Sequence, residues 1–370
     1  MSISRSKLKS EILEMLQSWT NGEKQPTFNQ LEKLSKATHI PLGYFFLQNP
    51  PKETCSVLEY RTICSIGLQN PSRNLLDTVR HMEDIQDWMH DYLIGNSAQA
   101  VAFVGFLNPK HDVYAASNAV RMKLALNDDW YTKSNGIGAS FKRLRNAISN
   151  LGILVMQNGV VGNNTHRPLD VDEFRAFSLI DKYAPLIFVN WKDSDGGRLF
   201  SLIHELVHIG LGESNLLNTD GLEFVSPLET FCNKVTSEIL VPDSHFGIAW
   251  REHDGDNEFK VKRIATHFRC SQSVIVRRLL DKGFIGHDEY NMLRQKARNL
   301  SKVITKPSEG GDYWATMLSR VDHRFIKALN SSLNEGHTLY TEACRLTNTN
   351  HASFGEMIGK LEEIKRYEYE

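Results

Sequence analysis

Residues 201–212 read SLIHELVHIGLG, a stretch in which three titratable side chains stand among apolar ones. Because an α-helix has 3.6 residues per turn, His204 and His208 lie one turn apart on the same helix face. Glu205 directly follows the first histidine and lies to one side of the pair. The other residues are apolar or small on nearly every side, which indicates a buried helix around which the fold forms.

Two histidines at this spacing can bind one cation, since neutral imidazole nitrogen is a good ligand for zinc. Burial of His204, Glu205 and His208 is costly unless they have partners, and a metal ion would supply one. Glu205 could then reach a water at the open metal position and act as a general base. The alternative is a chance occurrence of the pattern on an ordinary amphipathic helix, which the apolar surroundings disfavour.

A catalytic zinc site usually has three protein ligands, so a third must be sought. The metzincin extension would require glycine at 211 and histidine at 214, but Leu211 and Ser214 stand there, which excludes that class. Glu229 is favoured because it opens a second predicted helix that can pack across the first. The downstream residues considered are Glu213, Asp220, Glu223, Glu229, Glu238, Asp243 and His245.

Glu229 has a second interpretation, as part of a helix cap. In SPLE (226–229), Ser226 can be the N-cap residue and Pro227 the first helical residue. Glu229 would then reach back to the backbone amide of Ser226, as in a capping box. Spacing alone does not decide between metal ligand and cap.

The composition is that of an ordinary globular protein. The chain has 370 residues, of which 41% are hydrophobic, enough for buried cores in two or three domains. Lys and Arg number 43 against 44 Asp and Glu, so the formal net charge of -1 offers no global basic field for nucleic acid or an anionic membrane. The dispersed cysteines form no C-x-x-C pair, and no stretch resembles a signal peptide or spanning helix. We therefore expect a cytoplasmic protein without a membrane segment.

Apolar periodicity and breakers predict an α+β fold, mainly helical, with a small sheet packed on the helix that carries HELVH. A second zinc-site helix is expected in SPLETFCNKVTSEILVP (226–242), where Pro242 ends it. Strands are expected at 151–160 and 184–190. Further helices are expected at 74–94, 114–126, 138–150 and 198–212, and over 260–300.

Three segments resemble the ImmA/IrrE family of metallo-endopeptidases, zinc proteases found inside bacteria and their mobile elements. They are APLIFVN (184–190), HELVH (204–208) and ETFCNKVTSEILVP (229–242). The last looks like the family segment E-x-x-A-N-x-F-A-A-x-L-L-x-P, whose first glutamate is the third zinc ligand. The resemblance places that ligand at Glu229 and implies a supporting role for Asn233, one turn later. The chain departs from the pattern at Cys232 and at 235–237, on a packing face.

The resemblance implies a zinc-dependent intracellular endopeptidase whose substrate is a transcriptional regulator, such as an XRE-type repressor encoded nearby. His204, His208 and Glu229 would hold Zn2+. Glu205 would assist attack of a zinc-bound water on the peptide carbonyl. One of the strands, for example 185–190, would bind the peptide substrate as an added strand.

Other assignments stay open at this stage. The carbonyl-polarising residue is not fixed by position, and the candidates are His166, His245 and Tyr290. One alternative function is a regulatory DNA- or protein-binding module with a structural or vestigial metal site. Another is a zinc hydrolase that acts on non-peptide amides.

Two segments resemble helix-turn-helix units. GEKQPTFNQLEKLSKATHIPLGYFFL (22–47) is similar to the latter half of an XRE-type domain, but the preceding residues 2–19 are too few to complete one. We expect a remnant or a protein-docking domain, without autonomous DNA binding. The segment 259–285, with Arg277 and Arg278 on its second helix, is expected to pack on the zinc-site helices.

Breakers divide the chain into four expected parts. QNPPKE at 48–53 forces an extended segment, because proline lacks an amide donor and restricts the residue before it. KPSEGGDY at 306–313 has the composition of a linker. The expected parts are a helical, partly helix-turn-helix-like domain (1–50), an extended linker and helical region (51–150), a zincin-like metallopeptidase domain (151–300) and a C-terminal helical extension (301–370).

Overall fold

The structure is a computed structural model that describes residues 10–49, 71–212, 216–217, 227–303 and 312–369. These residues are mainly helical and include a four-stranded mixed sheet and a two-stranded hairpin, which confirms the expected α+β class. No helix within these ranges combines the length and the apolar character that a membrane span requires.

The elements are labelled in chain order. The helices are α1 (Ser10–Thr20), α2 (Phe28–Thr38), α3 (Arg73–Gly95), α4 (Val113–Lys123), α5 (Ile137–Asn150), α6 (Asp195–Leu211), α7 (Pro227–Leu240), α8 (Asp243–Glu252), α9 (Asn257–His267), α10 (Gln272–Asp281), α11 (His287–Val303), α12 (Tyr313–Arg320), α13 (His323–Asn334), α14 (Tyr340–Thr347) and α15 (His351–Tyr369). Short 3-10 helices lie at Leu42–Phe46 and Trp130–Lys133. The strands are β1 (Leu154–Asn158), β2 (Val160–Val161), β3 (Asn164–Pro168), β4 (Ala176–Leu179), β5 (Leu186–Asn190) and β6 (Leu216–Leu217).

The main sheet has the strand order β1-β5-β4-β6. β5 pairs in parallel with β1, where Leu154 is opposite Leu186, and antiparallel with β4, where Ser178 is opposite Ile187. The prediction that a strand such as 185–190 adds a substrate peptide is therefore wrong for this strand. Both edges of β5 are already hydrogen-bonded within the sheet, so no edge remains for an added strand.

Side-chain alternation gives the sheet two different faces. The inner face packs on α5 and α6, and its core residues include Val155, Ile187 and Val189. The outer face packs on α3 and the C-terminal helices. Its core residues include Leu154, Met156, Phe177, Leu186 and Phe188.

The C-terminal helices cover the outer face as part of one hydrophobic core. Phe325 on α13 and Phe354 on α15 are fully buried in it, together with Leu75 and Ile85 on α3. Ring contacts fix this packing, since Trp88 meets Phe325 edge-on with centroids 5.4 Å apart. The C-terminal extension is thus helical, as expected, and forms the outer wall of the sheet.

A polar latch joins this wall to the edge strand β1. The carboxylate of buried Asp322 accepts hydrogen bonds from the backbone N–H of Val155 (3.1 Å) and the hydroxyl of Ser149 (3.0 Å). The guanidinium of Arg145 donates to the carbonyls of Val155 (3.0 Å) and Val321 (2.9 Å). Burial lowers the pKa of Arg145, and the nearby Asp322 charge opposes that shift. The latch satisfies backbone groups that an open sheet edge would leave unpaired.

The N-terminal region has the helices that its sequence predicts. Thr27 caps α2 through a capping box, in which its backbone N–H donates to Gln30 Oε1 (2.9 Å) and Leu34 is buried on the packed face. Its helix-turn-helix resemblance stays a prediction. The expected boundary at 48–53 and linker at 306–313 lie mainly outside the described residues.

The second helix-turn-helix-like segment forms α9 and α10, with Cys270 in the turn between them. Arg278 on α10 is buried, and its guanidinium donates to Glu238 Oε2 (2.6 Å), the Val241 carbonyl (2.9 Å) and Asp243 Oδ1 (2.7 Å). These contacts tie α10 to the C-terminal end of α7. They agree with the expectation that the segment 259–285 packs on the helices that carry the candidate metal ligands.

Candidate metal centre

Helix α6 carries the two histidines and is defined at both ends by local sequence. Ser194 is the N-cap residue, and its hydroxyl accepts a hydrogen bond from the Gly197 N–H (3.2 Å). Gly212 ends the helix with φ +77°, a left-handed conformation that glycine adopts without a Cβ clash. The helix is buried from Ser201 to Gly210. Its interior position follows from the apolar residues that surround the histidines on every side.

Residues 105–130 hold the C-terminal ends of both α6 and α7. The backbone N–H groups of Gly105 and Leu107 donate to the carbonyls of Ile209 (3.1 Å) and Gly210 (2.7 Å) at the end of α6. At the end of α7, the Arg121 guanidinium donates to the Glu238 carbonyl (3.0 Å) and the Trp130 indole to the Ile239 carbonyl (3.1 Å). The last carbonyls of a helix have no partner within it, so these donors stabilise both helix ends.

His204, His208 and Glu229 converge on one point. The two imidazole Nε2 atoms lie 3.1 Å apart. The carboxylate of Glu229, in the first turn of α7, places Oε2 3.3 Å from His204 Nε2 and Oε1 3.3 Å from His208 Nε2. Both histidines are fully buried, and Glu229 keeps a side-chain exposure of 23%. Among the described residues, this is the group of three potential ligands close enough to share one metal ion.

The geometry fits zinc. Two ligand atoms at 2.0–2.1 Å from a tetrahedral zinc lie about 3.3 Å from each other. In this site the two imidazole Nε2 atoms lie 3.1 Å apart, and each lies 3.3 Å from one of the two oxygens of the Glu229 carboxylate, close to that separation. Two imidazoles and one carboxylate are also a donor set typical of catalytic zinc, which keeps one position for water or substrate.

The carboxylate of Glu229 is held in its charged form. Burial alone raises the pKa of Glu229, but hydrogen bonds and charge interactions with His204 and His208 outweigh burial and lower the pKa below its ordinary value. An ionised carboxylate is the form that binds a cation. The capping alternative depends on Ser226, which lies outside the described residues.

Glu205 is fully buried beside the ligands, at the interface between α6 and the sheet. Its Oε2 accepts a hydrogen bond from the hydroxyl of Ser178 on β4 (2.8 Å), and Ser178 is fully buried as well. The sequence pattern did not single out Ser178. It is a small polar residue in FRAFSLI (174–180), and no spacing rule links it to the HELVH helix.

Two residues of α7 lie close to the ligands. Asn233, to which the resemblance gives a supporting role, is half-buried one turn after Glu229. Cys232, where the family pattern has alanine, places Sγ 4.0 Å from His208 Nδ1. Nδ1 is the ring nitrogen of His208 that does not face Glu229, so the thiol of Cys232 contacts the imidazole on the edge away from the candidate metal position.

The three candidates for polarising the carbonyl lie in separate elements. His166 is exposed on β3, and Tyr290 is half-buried on α11. His245 lies beyond the C-terminal end of α7, and its Nδ1 is 2.9 Å from the hydroxyl of Tyr131. That end of the helix is about 16 Å from Glu229 along the helix axis. Burial raises the pKa of Tyr131 to about 12, so this hydroxyl stays protonated. We therefore assign none of the three to the metal centre.

Comparison with known families agrees with the geometry. Residues 148–280 match the model of peptidase family M78, described as the IrrE N-terminal-like domain. Residues 321–360, which cover α13, α14 and the first half of α15, match a family described as a domain of unknown function. No curated protein matches the chain significantly. The first match contains α6, α7 and the three residues His204, His208 and Glu229 that converge between them.

Proposed function

Because residues 148–280 carry an IrrE N-terminal-like domain of a metallopeptidase family, we propose that this chain is a zinc-dependent endopeptidase. One observation supports this more than any other. The Nε2 atoms of His204 and His208 lie 3.1 Å apart, and each lies 3.3 Å from one carboxylate oxygen of Glu229, between α6 and α7. Glu205 is the adjacent carboxylate, so a base stands next to the ligands.

Each residue has a distinct role in the proposed reaction. His204, His208 and Glu229 would hold the metal, with Asn233 in support of Glu229. When bound, zinc supplies a Lewis acid that lowers the pKa of water and polarises a carbonyl. Glu205 would accept the proton of the attacking water and then deliver it to the leaving amide nitrogen, as general base and then general acid.

The proposed substrate is a protein, and specifically a transcriptional regulator such as an XRE-type repressor. This proposal rests on the family resemblance of the sequence. A cytoplasmic location is proposed with it, since the buried Cys270 forms no disulfide. Free thiols in buried positions are typical of proteins that fold in a reducing compartment.

The substitution Glu205→Gln tests the proposed activity. The amide is nearly the same size as the carboxylate but does not accept a proton, so we expect cleavage to fall by about 10²–10⁴-fold. Zinc should stay bound, because Glu205 is not a ligand in this proposal. The assay follows cleavage of the XRE-type repressors encoded beside the gene by gel electrophoresis, with zinc measured on the same samples.

The same variant separates the proposal from a regulatory module with a vestigial metal site. In that case Glu205→Gln would retain the full biological activity of the wild type. A repressor cleaved equally well by wild type and variant would reject Glu205 as the base. A wild type that cleaves none of the repressors would reject this substrate class.

A further inference from the structure

Ser178 is a buried polar residue that the sheet presents to helix α6 at Glu205. Ser178 lies on β4 between Phe177 and Leu179, whose side chains belong to the outer core. Alternation along the strand therefore turns Ser178 to the inner face, toward α6. Its hydroxyl donates to Glu205 Oε2 at 2.8 Å, and both residues are fully buried.

The surroundings of Ser178 make this bond specific. On the inner face, the residue directly opposite Ser178 on β5 is Ile187, and Val155 and Val189 are further apolar neighbours, while the buried Gln157 lies farther along β1. A buried hydroxyl costs free energy unless it is hydrogen-bonded, so an apolar residue would be expected at this position if packing alone decided. The hydroxyl is placed where the carboxylate of Glu205 meets the sheet.

We propose that Ser178 is a positioning residue for Glu205, an inference that rests on the proposed peptidase function. A bond to one carboxylate oxygen fixes the rotation of the carboxylate about its last torsion. It thereby fixes the direction of the other oxygen as well. Proton transfer requires a heavy-atom distance of roughly 2.6–3.2 Å, so an unrestrained carboxylate would spend less time in a reactive orientation.

The test compares Ser178→Ala with Ser178→Thr and with a matched control. Threonine keeps the hydroxyl and suits a strand position. The control is Ser140→Ala on α5: Ser140 is also fully buried, but its hydroxyl makes no hydrogen bond within the described residues. For each protein, cleavage of the repressor gives kcat and KM, and zinc content and the thermal midpoint are measured in parallel.

We expect Ser178→Ala to lower kcat by about tenfold to a hundredfold, the usual range for residues that orient a metal-site group. KM, zinc content and the thermal midpoint should stay close to those of Ser140→Ala, because Ser178 contacts neither substrate nor metal ligand in this proposal. Ser178→Thr should recover most of the lost kcat.

Two results would overturn the positioning role. One is a kcat for Ser178→Ala within about twofold of the Ser140→Ala value. The other is a loss of kcat that accompanies equal losses of zinc or thermal stability in both Ser178 variants, which would show a structural role only. A wild type that cleaves none of the repressors rejects the proposed function with this substrate class, whereas an active wild type with an equally active Ser178→Ala rejects Ser178 alone.

Discussion

The two faces of the sheet differ in what they bury. The outer face buries rings and aliphatic side chains, such as Phe177 stacked on Phe188 with centroids 5.1 Å apart. The inner face meets a helix whose buried residues include His204, Glu205 and His208. Apolar burial stabilises a fold without fixing single atoms, whereas the polar groups of a catalytic site must be fixed in position. Changes in the two regions should therefore affect different properties.

The largest effect on stability is expected at the latch on the outer side. Asp322→Ala removes the buried acceptor of the Val155 N–H and Ser149 hydroxyl bonds, and leaves the half-buried Arg145 without its nearby countercharge. Breaking a buried charged network by removing one partner costs about 3–5 kcal/mol. The free energy of unfolding, measured by denaturant titration, should fall by this amount.

Zinc content separates this change from damage to the metal centre. The exposed Asp172, replaced by alanine, is the matched control and should leave the free energy of unfolding unchanged. At a temperature at which the less stable Asp322→Ala variant is still folded, it should bind as much zinc as the wild type. Loss of zinc from the folded variant would contradict the separation of the two faces.

An intermediate effect is expected at the clamp that Arg121 forms on the C-terminal end of α7. Arg121→Met keeps most of the side-chain volume but removes the donor to the Glu238 carbonyl at the end of α7. A buried carbonyl left without its partner costs about 1–3 kcal/mol. Since Glu229 lies on the same helix, we also expect a lower affinity for zinc, measured by competition with a chelator.

The control for this clamp variant is the exposed Arg251 on α8, replaced by methionine in the same way. It should leave both unfolding and zinc affinity unchanged. If Arg121→Met lowers the free energy of unfolding while zinc affinity stays at the control value, the clamp stabilises α7 without influencing the position of Glu229.

The smallest effect is expected at the ion pair between His90 on α3 and Asp181, whose side chains are 2.9 Å apart. The hydrogen bond with Asp181 raises the pKa of His90, and its charge adds to this, while burial opposes the shift. Because the pKa of His90 is raised in the folded protein, the ion pair stabilises the fold fully at pH values below the pKa that His90 has in the unfolded chain. This stabilisation is lost as the pH rises through the pKa of His90 in the folded protein. His90→Gln should therefore remove about 0.2–1 kcal/mol at low pH and less at high pH.

The measurement is the free energy of unfolding of both proteins below about pH 6 and above about pH 8, on either side of the ordinary histidine pKa. The exposed His111, replaced by glutamine, is the control for the loss of a titratable ring. A difference between wild type and His90→Gln that grows as pH rises would contradict the assigned direction of the pKa.

The sequence predicted the parts of this fold that local patterns determine. The helical spacing of His204 and His208 and the stop at Pro242 depend on neighbours along the chain, so α6 and α7 begin and end close to their predicted limits. The strands predicted at 151–160 and 184–190 correspond to β1 and β5. Glu229 could be selected, but spacing alone left its capping role open.

Contacts between residues far apart in the chain could not be predicted from the sequence. β4 is a four-residue strand in FRAFSLI, and its pairing with β5 occupies the edge that a substrate strand was expected to use. The bond from Ser178 to Glu205 joins residues 27 positions apart in different elements, and the latch from Asp322 to Val155 spans 167 positions. No periodicity or motif encodes such contacts, because they depend on how the elements pack.

Metal analysis of purified protein tests the central claim most directly, namely that Glu229 completes the zinc site with His204 and His208. Zinc per chain is measured by mass spectrometry after dialysis, for wild type, Glu205→Gln, Glu229→Ala and the control Glu252→Ala, an exposed glutamate on α8. We expect about one zinc per chain in all but Glu229→Ala, which should lose most of its metal while it stays folded. Zinc retained by folded Glu229→Ala at the wild-type level would contradict the account.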